Sequence, residues 1–388
     1  MKKLTSSAFY FLYFGAVAAL MPYFVLYYQS LGFNGMQIGL LTGISPLVTI
    51  VGAPLWTGGA DATRKHRLFL TAALAGSILI TLALPTATVF GLVFPLILLY
   101  YFFLSPISSF ADHATMSMLA GEKEKYGRVR MGGTLGWGLV APLAGFLIQN
   151  NGLRIGFWIF SALLFLALLI SQGLSFHGGE AGSSMRKGIR TLLADRRWLP
   201  FLALAFLGGM GLAAINGYLF PFMEEMNAGN ATMGIALSLS TLSEVPMLFF
   251  ANRLIRVWKA EGLLLFGMLA MGVRLLLYPI FNFPLGVLFF QMFNGLTFPA
   301  IWVAGVSFAD QNSPPGMRAT AQGLFAATVF GFGSAAGGFL GGPLLEGVGG
   351  RGLYLVFGLL LLLGTGAVAM LSRYLRGIPH PEIPPRTS

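Results

Sequence analysis

The sequence predicts an all-α membrane protein of twelve transmembrane helices, built as two six-helix pseudo-repeats. Three observations carry that prediction. The 388 residues are 56% hydrophobic and only 10% charged, against about 25% charged in soluble domains. The apolar residues come in stretches of about 18–25, each long enough to cross a bilayer. The longest polar connection falls at the middle of the chain, between two halves that resemble each other.

The apolar stretches start near Ser7, Gln37, Leu68, Val89, Arg130, Leu153, Leu199, Met233, Gly262, Leu285, Met317 and Leu353. In lipid every backbone N–H and C=O must be satisfied internally, so such stretches are read as helices. Lys2 and Lys3 precede an apolar run containing Ala16-Val17-Ala18, the outline of a signal peptide. That run continues to about Tyr28, long enough for a first span. The expected units are a first bundle over 1–176, a linker over 177–198, a second bundle over 199–375 and a tail over 376–388. Ala144-Gly145-Phe146-Leu147 precedes Gly152-Leu153-Arg154, and Gly337-Gly338-Phe339-Leu340 precedes Gly350-Arg351-Gly352. These matching segments lie half the chain apart, the signature of an internal repeat. Repeats of this kind place a substrate site at their interface, near the bilayer midplane.

The net charge is +11. The bases are dispersed among short loops, so the excess reads as a topology signal and not as a nucleic-acid surface. With the N-terminus placed in the cytoplasm, twenty of the 24 bases fall in inside connections. Arg154 and Arg351 fall outside, and Arg130 and Arg274 fall in spans. Both termini are therefore expected in the cytoplasm of a cell membrane, with a bacterial inner membrane the expected location. There is no cysteine, hence no disulfide and no thiolate metal site. No glycine loop runs into Lys-Ser/Thr, no metal-ligand cluster is present, and nothing resembles a hydrolase triad. The chain reads as a non-enzyme with no cofactor and no metal.

Four strongly ionisable side chains lie within the expected spans: Asp112, Arg130, Glu244 and Arg274. Charge in lipid costs several kcal/mol, and such residues face a protein interior or a water-filled cavity. Two acids and two bases balance. Burial makes a carboxylate hold its proton, and a nearby guanidinium makes it let go, so an acid that alternates between the two settings carries protons. The competing reading for Glu244 and Arg274 is a static ion pair between helices. Trp137 follows Arg130 by seven residues, two helical turns on, and shares its face. Its flat ring suits stacking on a sugar or an aromatic ligand; otherwise it packs as an ordinary aromatic. His113 adjoins Asp112 but points about 100° away, and reads as a hydrogen-bonded packing residue more than a titrating one.

Gln291, Asn294 and Thr297, spaced by three, form one polar stripe on an apolar helix. It lines a cavity or bonds between helices. Tyr10, Tyr13, Tyr23, Tyr27 and Tyr28 suit a cavity wall or an interface belt. Gly132 and Gly136, and Gly333, Gly337 and Gly341, follow the small-xxx-small spacing that lets helices approach closely.

Two motifs carry a resemblance. Gly58-Gly59-Ala60-Asp61-Ala62-Thr63-Arg64-Lys65-His66-Arg67 resembles the loop signature between the second and third spans of the major facilitator superfamily. There the acid caps a helix end and pairs with bases across the cleft, which gives Asp61 and Arg64 an expected role in conformational gating. This copy lacks the base directly after Asp61 and has Arg64 where glycine is common. Tyr126-Gly127-Arg128-Val129-Arg130-Met131-Gly132-Gly133 is similar to a signature of the lactose permease and phenylpropionate permease branch of that superfamily. The similarity extends over nearly the whole chain.

The resemblance implies the major facilitator fold and proton-coupled symport of a small polar solute by alternating access. It places sugar-binding residues of the lactose permease at Asp112, Arg130 and Trp137, its essential eighth-span glutamate at Glu244 and its ninth-span arginine at Arg274. The departures are Asn294 in place of the tenth-span histidine, Thr297 in place of the proton-carrying glutamate, and Gln291 in place of a lysine. Ile215 and Tyr218 stand at the seventh-span acids. Proton coupling then rests on Glu244 or Asp112, with Arg274 tuning it, and substrate on Asp112, Arg130, Trp137 and Asn294. A saccharide or glycoside is the expected substrate. Uptake of an aromatic carboxylate or nucleoside, proton-driven drug export, and a non-transporting membrane sensor are the alternatives. Expected partners are the solute, protons and the lipid bilayer, with no nucleic acid and a monomeric state.

Overall fold

A computed structural model describes residues 2–119, 122, 125–176, 185–314 and 317–377. The linker residues 177–184 and the tail from 378 onward lie outside the described residues. The described residues contain helices and turns and no strand. The helices are α1 (Lys2–Leu20), α2 (Phe24–Ser30), α3 (Gly35–Thr63), α4 (His66–Ala83), α5 (Phe90–Leu104), α6 (Ile107–Met118), α7 (Tyr126–Asn151) and α8 (Ile155–Ser171) in the first half. The second half holds α9 (Met185–Ala194), α10 (Trp198–Glu225), α11 (Asn230–Ile280), α12 (Pro284–Gln291), α13 (Phe298–Gln311), α14 (Arg318–Ala326) and α15 (Ser334–Gly377).

Ten helical stretches among the described residues are long and apolar enough to cross a membrane. The stretch from Arg318 to Tyr374 is 57 residues long, roughly 85 Å at 1.5 Å per residue and far more than a ~30 Å hydrocarbon core. It is broken at Gly349, whose φ of 68° no helix accommodates. A similar break at Lys259, with φ 57°, divides the 51-residue α11. The apolar Ile155–Ser171 is shorter than the others. Observed helix starts fall within a few residues of the apolar boundaries. The chain is thus a multi-pass, all-helical membrane protein.

Helix α7 shows why the sequence folds this way. Gly132, Gly136, Val140 and Ala144 are buried, while Leu135, Leu139, Leu143 and Phe146 are exposed. A bare leucine stripe would be a liability in water; against lipid tails it costs nothing. On the buried side, a Cβ placed at Gly132 would lie 2.4 Å from the Ser7 carbonyl oxygen, and one at Gly136 would lie 2.1 Å from that of Phe11. The glycines let α1 and α7 meet backbone to backbone, where close packing replaces the hydrophobic effect as the source of association. Gly333 and Gly337 do the same against Phe206 and Met210 of α10, and Gly341 makes room for the Tyr218 ring.

The two halves of the chain meet through a second set of glycines. A Cβ at Gly342 would lie 2.2 Å from the Gly35 carbonyl and 2.2 Å from the Gly39 nitrogen, and one at Gly338 would lie 2.7 Å from Gly43. Hydrogen bonds reinforce this crossing of α3 with α15. Thr42 and Tyr218 share a bond of 2.8 Å between hydroxyls, Tyr218 Oη donates to the Gly338 carbonyl at 2.7 Å, and Gly35 N donates to Glu346 Oε2 at 2.8 Å. On the other flank, Ser238 Oγ donates to the Gly138 carbonyl at 2.5 Å, and Ala231 N donates to Gln149 Oε1 at 3.1 Å. Among the described residues, the hydrogen bonds between the halves lie toward the turns at 31–34, 152–154, 226–229 and 349–350. None lies toward the basic connections at 64–67 and 253–259.

Candidate functional site

Two polar centres sit inside the helices, one in each half. In the first, Asp112 projects from α6 and its Oδ1 accepts three donors. Tyr10 Oη reaches it at 2.7 Å, Tyr126 Oη at 2.9 Å and Arg130 Nη1 at 2.5 Å. Arg130 lies one turn after Tyr126 on α7 and also donates to Tyr126 Oη at 3.2 Å. Its guanidinium sits 5.5 Å from the ring centres of both Tyr10 and Phe14, within reach of their π faces. Asp112 and Arg130 each keep over a third of their side-chain surface accessible. Such a pair holds its charges by mutual contact and still has surface to offer a solute.

The second centre is closed. Arg274 is 2% exposed. Its Nε donates to Tyr278 Oη at 2.9 Å, and its Nη1 to Asn294 Oδ1 at 2.7 Å and to Thr297 Oγ1 at 3.2 Å. Nη2 donates to Gln291 Oε1. All four of these acceptors are neutral. Glu244, half-buried on the first part of α11, does not reach it. The Asn294 side chain stands between the two: its Nδ2 donates to Glu244 Oε1 at 2.8 Å while its Oδ1 accepts from Arg274. Gln291, Asn294 and Thr297 align because the backbone from Met292 to Leu296 is a 3-10 helix, in which residues three apart eclipse one another. Gly295 fits against the segment bearing Glu244, since a Cβ there would lie 2.0 Å from the Ser243 carbonyl. Ser243 Oγ accepts from Gly295 N at 3.0 Å.

The structure therefore brings Asp112 to Arg130, and Glu244 to Arg274 by way of Asn294. Trp137 is half-buried on α7, packed against the hydrophobic interior, and forms no hydrogen bond or ring pair among the described residues. Asp61, near the end of α3, accepts from His66 Nε2 at 2.7 Å through Oδ1. Arg64 caps α3 in the left-handed region, with φ 57°, a conformation natural to glycine. The His113 ring stands edge-on to His66 at 4.9 Å and 5.8 Å from Phe176. No group of three or more potential metal ligands occurs among the described residues.

Tyr126 and Tyr278 escaped the reading of the sequence as site residues. Their signal was spacing: each lies four residues from an intramembrane arginine, one helical turn away. Tyr10 was read only as a wall or belt residue, because its partner Asp112 is distant in sequence.

Charged groups held inside each half of a multi-pass helical protein are what a membrane solute transporter needs. A family comparison narrows this: the model of the MFS_1 like family matches residues 4–356, and the chain belongs to that family. It is a transporter of the major facilitator superfamily, and not an enzyme. It is 28% identical to the maltose permease of Geobacillus stearothermophilus over 378 residues, 96% of this chain and 95% of that protein. It is 27% identical to the uncharacterized transporter YwbF of Bacillus subtilis over 369 residues, 94% of this chain and 91% of that one. The crystal structure of the nucleoside transporter NupG superposes with a TM-score of 0.85 at 18% identity, covering 96% of this chain and 99% of that one. At that identity the likeness concerns the fold.

Proposed function

We propose that the protein is a secondary active transporter that moves a small polar solute together with protons by alternating access, with a saccharide or glycoside as the favoured solute. The proposed architecture has twelve crossings: ten stretches, one of them doubled by the break at Gly349, and Ile155–Ser171. They form bundles over 1–176 and 199–375, joined by the linker 177–198, with both ends in the cytoplasm. The positive-inside count supports that orientation. The bonds between halves then close the outer side, and the site opens inward.

The observation that carries the reading is the Glu244–Asn294–Arg274 chain. A carboxylate linked to a buried cation through one amide has two settings, bonded and released, and a proton decides between them. Asp112 and Arg130, with accessible surface and a planar fork of donors, are the proposed solute-binding pair. Trp137 would face the solute's ring. Asn294 would act on solute indirectly, by positioning Glu244. Asp61 and Arg64 are the proposed gating residues on the inner side. The similarity to a maltose permease over nearly both full lengths supports a saccharide.

A nucleoside is the second reading, favoured by the fold shared with NupG; a ribose offers the same hydroxyl chemistry to Asp112 and Arg130. Reconstituted vesicles test the function. An inward proton gradient should drive accumulation of maltose-class sugars or nucleosides in the wild type. Glu244→Gln should abolish accumulation and leave solute exchange, and Asp112→Asn should abolish both. Accumulation intact in both variants would sink the coupling reading. A solute that needs Arg130 or Arg274 but not Asp112 would instead be an aromatic carboxylate, and efflux of lipophilic cations would make the protein an exporter.

A further inference from the structure

Away from both polar centres, a cavity of about 700 Å³ opens among the start of α10, the part of α11 after its break, the end of α13 and the end of α15. Its walls are apolar, with Phe201, Leu204, Leu265 and Val368, and its rim carries Arg196, Arg197 and Arg373 beside Glu261. It shares no lining residue with the Asp112 or Glu244 centres.

The charges at the rim are not equivalent. Arg197 is taken by Asp195, with Nε to Oδ2 at 3.1 Å and Nη2 to Oδ2 at 2.8 Å. Arg196 and Arg373 are exposed and have no ion-pair partner among the described residues. The matching place in the first half is shut. There Arg67 Nη2 donates to the Leu174 carbonyl at 2.9 Å, and Gln172 Nε2 donates to Thr71 Oγ1 at 3.2 Å, tying the start of α4 to the region after α8. In the second half two guanidiniums overhang an apolar slot.

The slot lies at the membrane face that carries the basic connections. A small water-soluble anion has no use for its leucine and phenylalanine walls. A headgroup phosphate with an acyl chain beneath it fits both parts, as in basic pockets between membrane helices. We propose that this cavity binds one anionic phospholipid, its phosphate at Arg196 and Arg373 and its chain between Phe201, Leu265 and Val368.

Native mass spectrometry of the delipidated full-length protein tests this, by titration with phosphatidylglycerol, phosphatidylcholine of the same chains, and inorganic phosphate. One phosphatidylglycerol should bind in preference to phosphatidylcholine. Arg196→Gln with Arg373→Gln should weaken it roughly thirty-fold, from about a fivefold contribution per base near a membrane surface. Ala369→Phe, which fills the slot and leaves the rim charges in place, should also displace it. Equal binding of the two lipids, retention in both variants, or displacement by millimolar phosphate each overturns the proposal.

Discussion

Asn294 donates to Glu244 at 2.8 Å and at the same time accepts from Arg274 at 2.7 Å, so the acid and the base are linked without touching. A direct ion pair locks its partners until a proton or a competing charge intervenes. An interposed amide lets either end leave singly. In the coupling scheme, Glu244 leaves the amide when protonated and Arg274 keeps its neutral acceptors.

Asn294→Ala removes both links and leaves a buried guanidinium short of one acceptor. Losing a buried hydrogen-bond partner costs about 1–3 kcal/mol. Thermal unfolding in detergent should show that loss, together with loss of gradient-driven accumulation. Unchanged stability would mean that water or Gln291 replaces the amide.

Asp112→Asn separates binding from folding. The Asp112–Arg130 pair is partly exposed, so its net contribution to stability is about 1 kcal/mol or less. Solute binding by isothermal titration should nevertheless disappear. Arg130→Lys should not rescue it, because Arg130 serves both Asp112 and Tyr126 and an ammonium lacks the planar fork.

Gly295→Ala acts at a distance from charge. Its methyl group would collide with the Ser243 carbonyl and push the segment of Glu244 away from Asn294. Accumulation should fall at least about tenfold, roughly 1.4 kcal/mol on the barrier, with membrane expression preserved. A normally coupled Gly295→Ala protein would show that this packing does not position the acid.

Tyr218→Phe removes one hydroxyl that serves both Thr42 and Gly338. At about 1 kcal/mol for such a bond, the open outer state should gain roughly fivefold in population. Spin labels on cysteines introduced at Met36 and Val348, both exposed, would report it as a second, longer distance. The natural chain has no cysteine to interfere. Glu346→Gln should give a smaller effect in the same assay, since it weakens one contact to a helix N-terminus.

The membrane character, the helix positions and the placing of Asp112, Arg130, Glu244 and Arg274 within spans were legible because lipid punishes exposed charge and exposed backbone. The stripe of Gln291, Asn294 and Thr297 was legible as polar, but its three-residue spacing gained meaning only from the 3-10 turn beneath it. The crossing of Gly35, Gly39 and Gly43 with Gly338 and Gly342 was not legible. Many glycines in this chain show four-residue spacing, and nothing local says which stripe faces which partner. The link from Glu244 to Arg274 through Asn294 was hidden for the same reason, as three residues on separate segments.

The glycine crossing of α3 and α15 has a mechanical consequence. Interlocked side chains act as teeth, and sliding one row past another requires each to clear its socket. Here carbonyls and α-carbons face each other, so the joint works as a plain bearing. It resists separation through contact area, yet offers little friction to a tilt. The rate of opening would then be governed by the few hydroxyl and carboxylate catches around it, which a single substitution can release.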